Sequence, residues 1–194
     1  MLITKIFKGT DMQTMNSVEK YSKPLRVLHW VTAMTIMALL VVGFYMADID
    51  PSAADKYDLY PVHKAFGMIA LLLVMLRLPA RAKGPVPSPA QGLQQWEHRL
   101  SHLVHIGLYV AMLSMTWSGY FMNSTYAYVE GVDIFGLFSV PDITSKSEFW
   151  NDIFHQVHSI TAWSFVVLLS LHLAGVAKHR LLDSKGSDVL QRMI

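Results

Sequence analysis

The chain contains no cysteine. That absence removes disulfides, thiolate zinc centres, iron–sulfur clusters, thioether-attached haem and cysteine catalysis together. Charge is scarce as well. Asp, Glu, Lys and Arg make up 15% of the 194 residues, against roughly 25% in a typical soluble domain. With 53% hydrophobic residues, the chain has too much apolar surface to stay disordered and too little charge for an ordinary soluble domain. There is no internal repeat, phosphate-binding loop or catalytic-triad pattern. What the chain holds instead is nine histidines, 12 methionines, five Trp, eight Tyr and nine Phe.

Charge is absent from long stretches. Val27–Ala47 runs 21 residues without Asp, Glu, Lys or Arg, and Leu103–Met122 and His158–Ala177 run 20 each. A hydrocarbon layer of roughly 30 Å needs about 20 helical residues, so each stretch is long enough to cross. A fourth stretch, Ala65–Leu76, is clean for only 12 residues. It is flanked by Lys64 and Arg77, whose stems can carry their charges outward, and a span over 63–78 is expected there. Lipid offers the backbone no partners, so the spans must be helices. The expected fold is an all-α integral membrane four-helix bundle. Its spans lie at about 27–47, 63–78, 103–122 and 158–177, in one domain covering 20–194 after a polar arm at 1–19. The arm has no signal-peptide pattern, and Met12 and Met15 are alternative starts. Pro24 fits a first helical turn. Residues 81–90, with Pro85, Pro87 and Pro89, read as an extended loop.

Lys and Arg divide sharply among the connections. Thirteen lie before span one, between spans two and three, or after span four, and only Lys56, Lys64 and Lys146 lie on the other side. By the positive-inside rule both termini are cytoplasmic. The opposite face carries nine carboxylates against those three lysines. A basic inner face suits anionic lipid. No aromatic or groove-reading pattern accompanies it, so nucleic acid is not expected as a partner. In the outer loop 123–157, Ile134–Phe138 is apolar enough to lie at the membrane interface.

Ionisable side chains inside spans are costly and mark function. Four histidines fall in two depth-matched pairs: His29 and His172 near the cytoplasmic ends of spans one and four, His63 and His158 at the outer ends of spans two and four. His158 and His172 are 14 residues apart. At about 1.5 Å and 100° per residue they stand roughly 21 Å apart on one helix face. That face can present an imidazole to each of two groups stacked across the bilayer, and a porphyrin held by two axial imidazoles fits. Zinc prefers four ligands in one small shell, and a proton relay would call for Asp or Glu in the spans. His102 and His105 share a face at the start of span three, placed to meet haem propionates or a quinone head; His105 is also a rival ligand to His29. Arg77 and Arg81 lie at the same depth, as propionate partners or as positive-inside anchors. Trp30, Trp96, Trp150 and Tyr109 read as interface-belt residues, His98 and His179 as surface residues, and Lys64 and His155 as flanking the outer pair.

These motifs come in a recognisable order: Lys20-Tyr21-Ser22 with His29-Trp30, then His63 ahead of Leu76-Arg77-Leu78 and Arg81, a Pro-x-Pro loop, His102-x-x-His105 with Leu108-Tyr109, and finally His158 and His172. Over residues 16–192 the chain resembles the bacterial cytochrome b561 family, which shares a superfamily with the cytochrome b subunits of nickel–iron hydrogenases. The resemblance implies a multi-pass protein of the bacterial inner membrane with two haem b groups, His29 and His172 holding the cytoplasmic one and His63 and His158 the outer one. It also implies single-electron transfer between a quinone and an outer partner, and one branch resembles a superoxide oxidase reducing ubiquinone. The acidic outer face favours a basic periplasmic redox protein over the superoxide anion, unless Lys56, Lys64 and Lys146 gather over the outer site. A non-redox scaffold or transporter is the alternative of a different class.

Overall fold

The computed structural model describes residues 19–50, 52–53, 57–88, 92–183 and 187–194. All but Glu19 of the expected arm lies outside the described residues, as do Asp55, Lys56, Lys185 and positions 89–91 of the proline-rich loop. The chain forms α1 (Lys23–Asp48), α2 (Leu59–Lys83), α3 (Gln95–Thr125) and α4 (Glu148–Leu181), with strands β1 (Val132–Ile134) and β2 (Phe138–Val140) between the last two helices. All four helices are long and apolar enough to cross a membrane. The shortest, α2, has 25 residues, about 37 Å at 1.5 Å per residue.

Every helix outruns its charge-free stretch. Lipid limits which side chains a span can carry, whereas the helical backbone continues wherever caps or tertiary contacts sustain it. The fourth candidate span shows this best. It was expected over 63–78, but α2 starts at Leu59, passes through Pro79 and ends at Lys83. Pro79 lacks only one donor, near the helix end, where the loss is tolerated. Arg81 consequently stands in the last turn of α2 and not in an extended loop. Pro24 lies in the first turn of α1 as expected. A capping box closes the start of α3: the Gln94 N–H donates to Glu97 Oε2 at 2.8 Å.

The bundle is apolar outside as well as inside. Val27, Met34 and Val41 are 62%, 64% and 64% exposed and recur every seventh residue, forming one stripe down α1 that faces lipid. The closely packed helix pairs are α1–α2, α2–α3 and α3–α4. Val74, Ala111, Met112 and Phe165 form the mid-membrane core, with Leu40, Leu108 and Leu168 against them.

Both described chain ends meet at one end of the bundle, called here the terminal end. The Tyr21 N–H donates to the Arg192 carbonyl at 3.1 Å, and Arg26 reaches the Ile194 carbonyl. Lys178 bridges Glu97 at 2.6 Å and Asp183 at 3.1 Å. His179, expected at the surface, is buried with Nδ1 2.6 Å from Asp183. That contact, with Lys178, holds the Asp183 carboxyl below its usual range.

The opposite end is closed by the 126–147 connection, shorter than the expected 123–157 loop because both flanking helices run on. It contains an antiparallel hairpin, β1 with β2, which pairs Val132 with Val140 and Ile134 with Phe138. Side chains at the end of α3 clamp it. Tyr120 Oη donates to the Pro141 carbonyl at 2.5 Å and Asn123 Nδ2 to the Gly131 carbonyl at 2.8 Å, while Asn151 Nδ2 of α4 donates to the Met122 carbonyl at 2.6 Å and ties α4 to the end of α3. Val132 and Ile134 bury against Ala65 of α2 and Tyr120 of α3.

Candidate functional site

Two histidine pairs bridge α4 to the first two helices. At the terminal end the ring centres of His29 and His172 are 6.4 Å apart with planes at 62°. At the hairpin end those of His63 and His158 are 6.5 Å apart at 76°. Two nitrogens bound to one metal at about 2 Å each, plus about 1 Å from nitrogen to ring centre on either side, require roughly 6 Å between centres. Both separations match that span. A direct hydrogen bond between two rings would bring the centres closer. α4 therefore presents its 14-residue pair on one face, toward α1 at one depth and toward α2 at the other.

The surroundings of each ring decide which nitrogen is free. His158 Nδ1 lies 3.1 Å from the Met115 carbonyl and 3.2 Å from Ser118 Oγ. A carbonyl only accepts, so Nδ1 carries the hydrogen and Nε2 keeps its lone pair, the arrangement that orients a metal-binding imidazole. His63 Nδ1 is buried without a hydrogen-bond partner among the described residues. His29 differs. Its Nδ1 lies 2.6 Å from Arg77 Nη2, and a guanidinium only donates, so this nitrogen accepts. Arg77 also lies over the Tyr109 ring at 5.4 Å, and Arg81 over Tyr21 at 5.5 Å. Tyr109, expected as a belt residue, is half-buried with its ring facing a cation.

Glycines open the space beside the rings. A Cβ on Gly119 would stand 3.1 Å from His158 Cε1, and one on Gly43 would stand 3.3 Å from His63 Cε1. At Gly67, one turn beyond His63, and at Gly175, three residues beyond His172, an added Cβ would meet nothing within 4 Å. Neither observation is legible from histidine spacing alone. Gly67 and Gly175 lie within about a turn of a membrane histidine, which the sequence does show, whereas Gly43 and Gly119 lie 14 residues or more from any histidine and carry no such signal.

The third histidine at the terminal end is His105. Its ring centre is 5.2 Å from that of His172, nearer than His29. Its Nδ1 donates to the Ser101 carbonyl at 2.6 Å, leaving Nε2 free. His102 lies one turn earlier and is exposed, as are His98 and His155. Trp30 is half-exposed but anchored: its Nε1 donates to the Met193 carbonyl at 2.8 Å, and its ring meets His29 at 5.3 Å. At the hairpin end Lys64 is within electrostatic reach of Asp142 and Lys146, and Lys146 pairs with Asp142 at 2.6 Å.

Comparison with known proteins adds two findings. A family model described as prokaryotic cytochrome b561 matches residues 20–194. The chain is also 25% identical over 183 residues to cytochrome b561 homolog 2 of Escherichia coli (strain K12), covering 94% of this chain and 95% of that protein.

Proposed function

The chain belongs to the prokaryotic cytochrome b561 family, which makes it a multi-pass b-type cytochrome of the bacterial inner membrane, and from that premise we propose that it is a dihaem carrier of single electrons between a quinone and a redox partner at the outer face. His29 and His172 hold one haem b and His63 and His158 the other. The observation that carries this reading is the pair of ring separations, 6.4 Å and 6.5 Å. A haem held there supplies a one-electron iron couple.

The side chains divide the remaining work. Met115 fixes the His158 tautomer, so that Nε2 faces the site without reorganisation. Arg77 holds His29 Nδ1 through a donor, and ligation through Nε2 requires it to let go. The haem propionates are the acceptors that a guanidinium prefers, and Arg77 and Arg81 are the partners for them. His102 and His105 are placed for a propionate or a quinone head at the same depth. Orientation follows from charge: the terminal end is cytoplasmic, the hairpin end periplasmic, and the domain spans 20–194.

A second reading rests on Lys64. Together with Lys146 it gives two ammonium groups to one carboxylate, Asp142, close to His63. That local excess favours an anion and supports a superoxide oxidase passing electrons to ubiquinone. The test takes purified protein. Reduced-minus-oxidised spectra with haem quantified per chain should give two b-type haems reducible by quinol, and one haem or none rejects the dihaem reading. Reduction by superoxide faster than its spontaneous dismutation, with quinone present, selects the second reading. No such rate selects the first.

A further inference from the structure

The β1–β2 hairpin turns through Phe135 and Gly136, both at positive φ, +54° and +73°. The connection is the three residues between Ile134 and Phe138, and the Leu137 N–H closes a β-turn onto the Ile134 carbonyl at 3.0 Å; the first central position of such a turn usually takes Asn, Asp or Gly, because a bulky side chain fits the left-handed region poorly. Here an aromatic ring occupies it. Asp133 steadies the turn by accepting from the Gly136 N–H at 2.8 Å. The strained residue is only half-covered. Phe135 is 49% exposed, Leu137 79% and Phe138 61%, and no residue from Ile134 to Val140 is charged.

The position of the tip decides what covers it. The Phe135 ring meets the Phe66 ring at 5.2 Å, and Phe66 is 42% exposed on the outer surface of α2, with Val62 one turn before it at 46%. On the inner side of the hairpin, Met68 packs against the cluster containing Val132 and Ile134. Met68 lies five residues past His63, about 7.5 Å along the helix axis. The exposed tip is thus continuous with the lipid-facing surface of a membrane-spanning helix, and at its level. We propose that this hairpin is a lipid-binding element whose Phe135, Leu137 and Phe138 side chains insert into the headgroup boundary of the adjacent leaflet. The unpaired strand edges stay at headgroup level, where water and polar groups satisfy them, because open edges are excluded from hydrocarbon. Aromatic and aliphatic side chains with no charge suit that boundary. The loop over the His63–His158 pair is then held from two sides, by the α3 clamp and by lipid.

The absence of cysteine makes the test clean. Leu137→Cys, Phe138→Cys and Tyr128→Cys are each placed in the full chain and reconstituted in phosphatidylethanolamine–phosphatidylglycerol nanodiscs containing one copy. Tyr128 is 85% exposed in the same connection and serves as the aqueous reference. A charged, water-soluble thiol reagent attacks only the thiolate, which an apolar setting suppresses, so positions 137 and 138 should react at least about tenfold more slowly than 128. Equal rates at all three positions overturn the proposal. Slow reaction that appears only with two copies per nanodisc also overturns it, and assigns the tip to a contact between chains.

Discussion

The paired imidazoles are held differently, His158 against the Met115 carbonyl, His29 against Arg77, and His63 with its Nδ1 unpartnered among the described residues, and the pairing is testable residue by residue. If His63 and His158 serve one haem, removing either should remove that haem, and removing both should remove nothing more. His63→Ala, His158→Ala and the double variant should each retain one haem per chain by pyridine haemochrome. His158→Ala combined with His172→Ala should retain none. Retention of one haem in that last variant would break the pairing. The free Nε2 of His105 gives a specific way for this to happen at the terminal end, so His29→Ala with and without His105→Ala belongs in the series. The glycines extend the argument to shape. Gly119 approaches His158 so closely that valine there must displace the ring. Overpacking of a close-packed site costs about 1–3 kcal/mol. Gly119→Val should therefore lower haem content toward one per chain and change the difference spectrum of one haem only. Gly175→Val faces open space, and if the proposed terminal-end haem occupies that space the substitution should act on the other haem. If both valines affect the same haem, the assignment of the two sites is wrong.

The helices were legible because lipid imposes a simple rule, and 20 residues without charge satisfy it visibly. Their ends were not, since helix termini depend on caps and tertiary contacts. The Gln94–Glu97 box and the passage of α2 through Pro79 both lie outside the apolar runs. The histidine pairs were legible because a 14-residue interval returns to nearly the same helix face. Arg77 against His29 was not, because the contact joins residues 48 apart in the chain on two different helices and depends on how α1 and α2 pack. The hairpin was the element least visible. Its strands have three residues each, too short for alternation to register, and its turn uses Phe-Gly where Asn-Gly is the usual signal. Its stability comes instead from the end of α3. Asn123 is 3% exposed and donates to the Gly131 carbonyl at 2.8 Å. Leaving a fully buried acceptor unpaired costs about 1–3 kcal/mol, and this carbonyl is part-buried, so the loss lies toward the lower end. Asn123→Ala should loosen the 126–147 connection without unfolding the bundle. Limited proteolysis of nanodisc-embedded protein should show faster cleavage there and unchanged cleavage near Gly84. Uniform acceleration would mean that the clamp supports the whole fold.

On the scale of the molecule, shape and charge are set by different rules and agree. Packing brings both described chain ends to one end of the bundle, where Glu97, Lys178, His179 and Asp183 knot together. Of the twelve described Lys and Arg, all but Lys64 and Lys146 belong to that same end. Packing alone would be satisfied with either end inward. The asymmetry of cations is the argument for the proposed orientation, since positively charged connections resist translocation. Single cysteines read the outcome directly in intact bacteria. Tyr128→Cys lies in the hairpin connection and Leu182→Cys just beyond α4, 85% and 80% exposed, so neither is shielded by protein. A reagent that crosses the outer membrane but not the inner one should label position 128 in whole cells and position 182 only after the inner membrane is opened. The reverse pattern would place the terminal end outside. It would also turn the acidic hairpin face toward the cytoplasm, and remove the charge argument for a basic partner docking beside the His63–His158 pair.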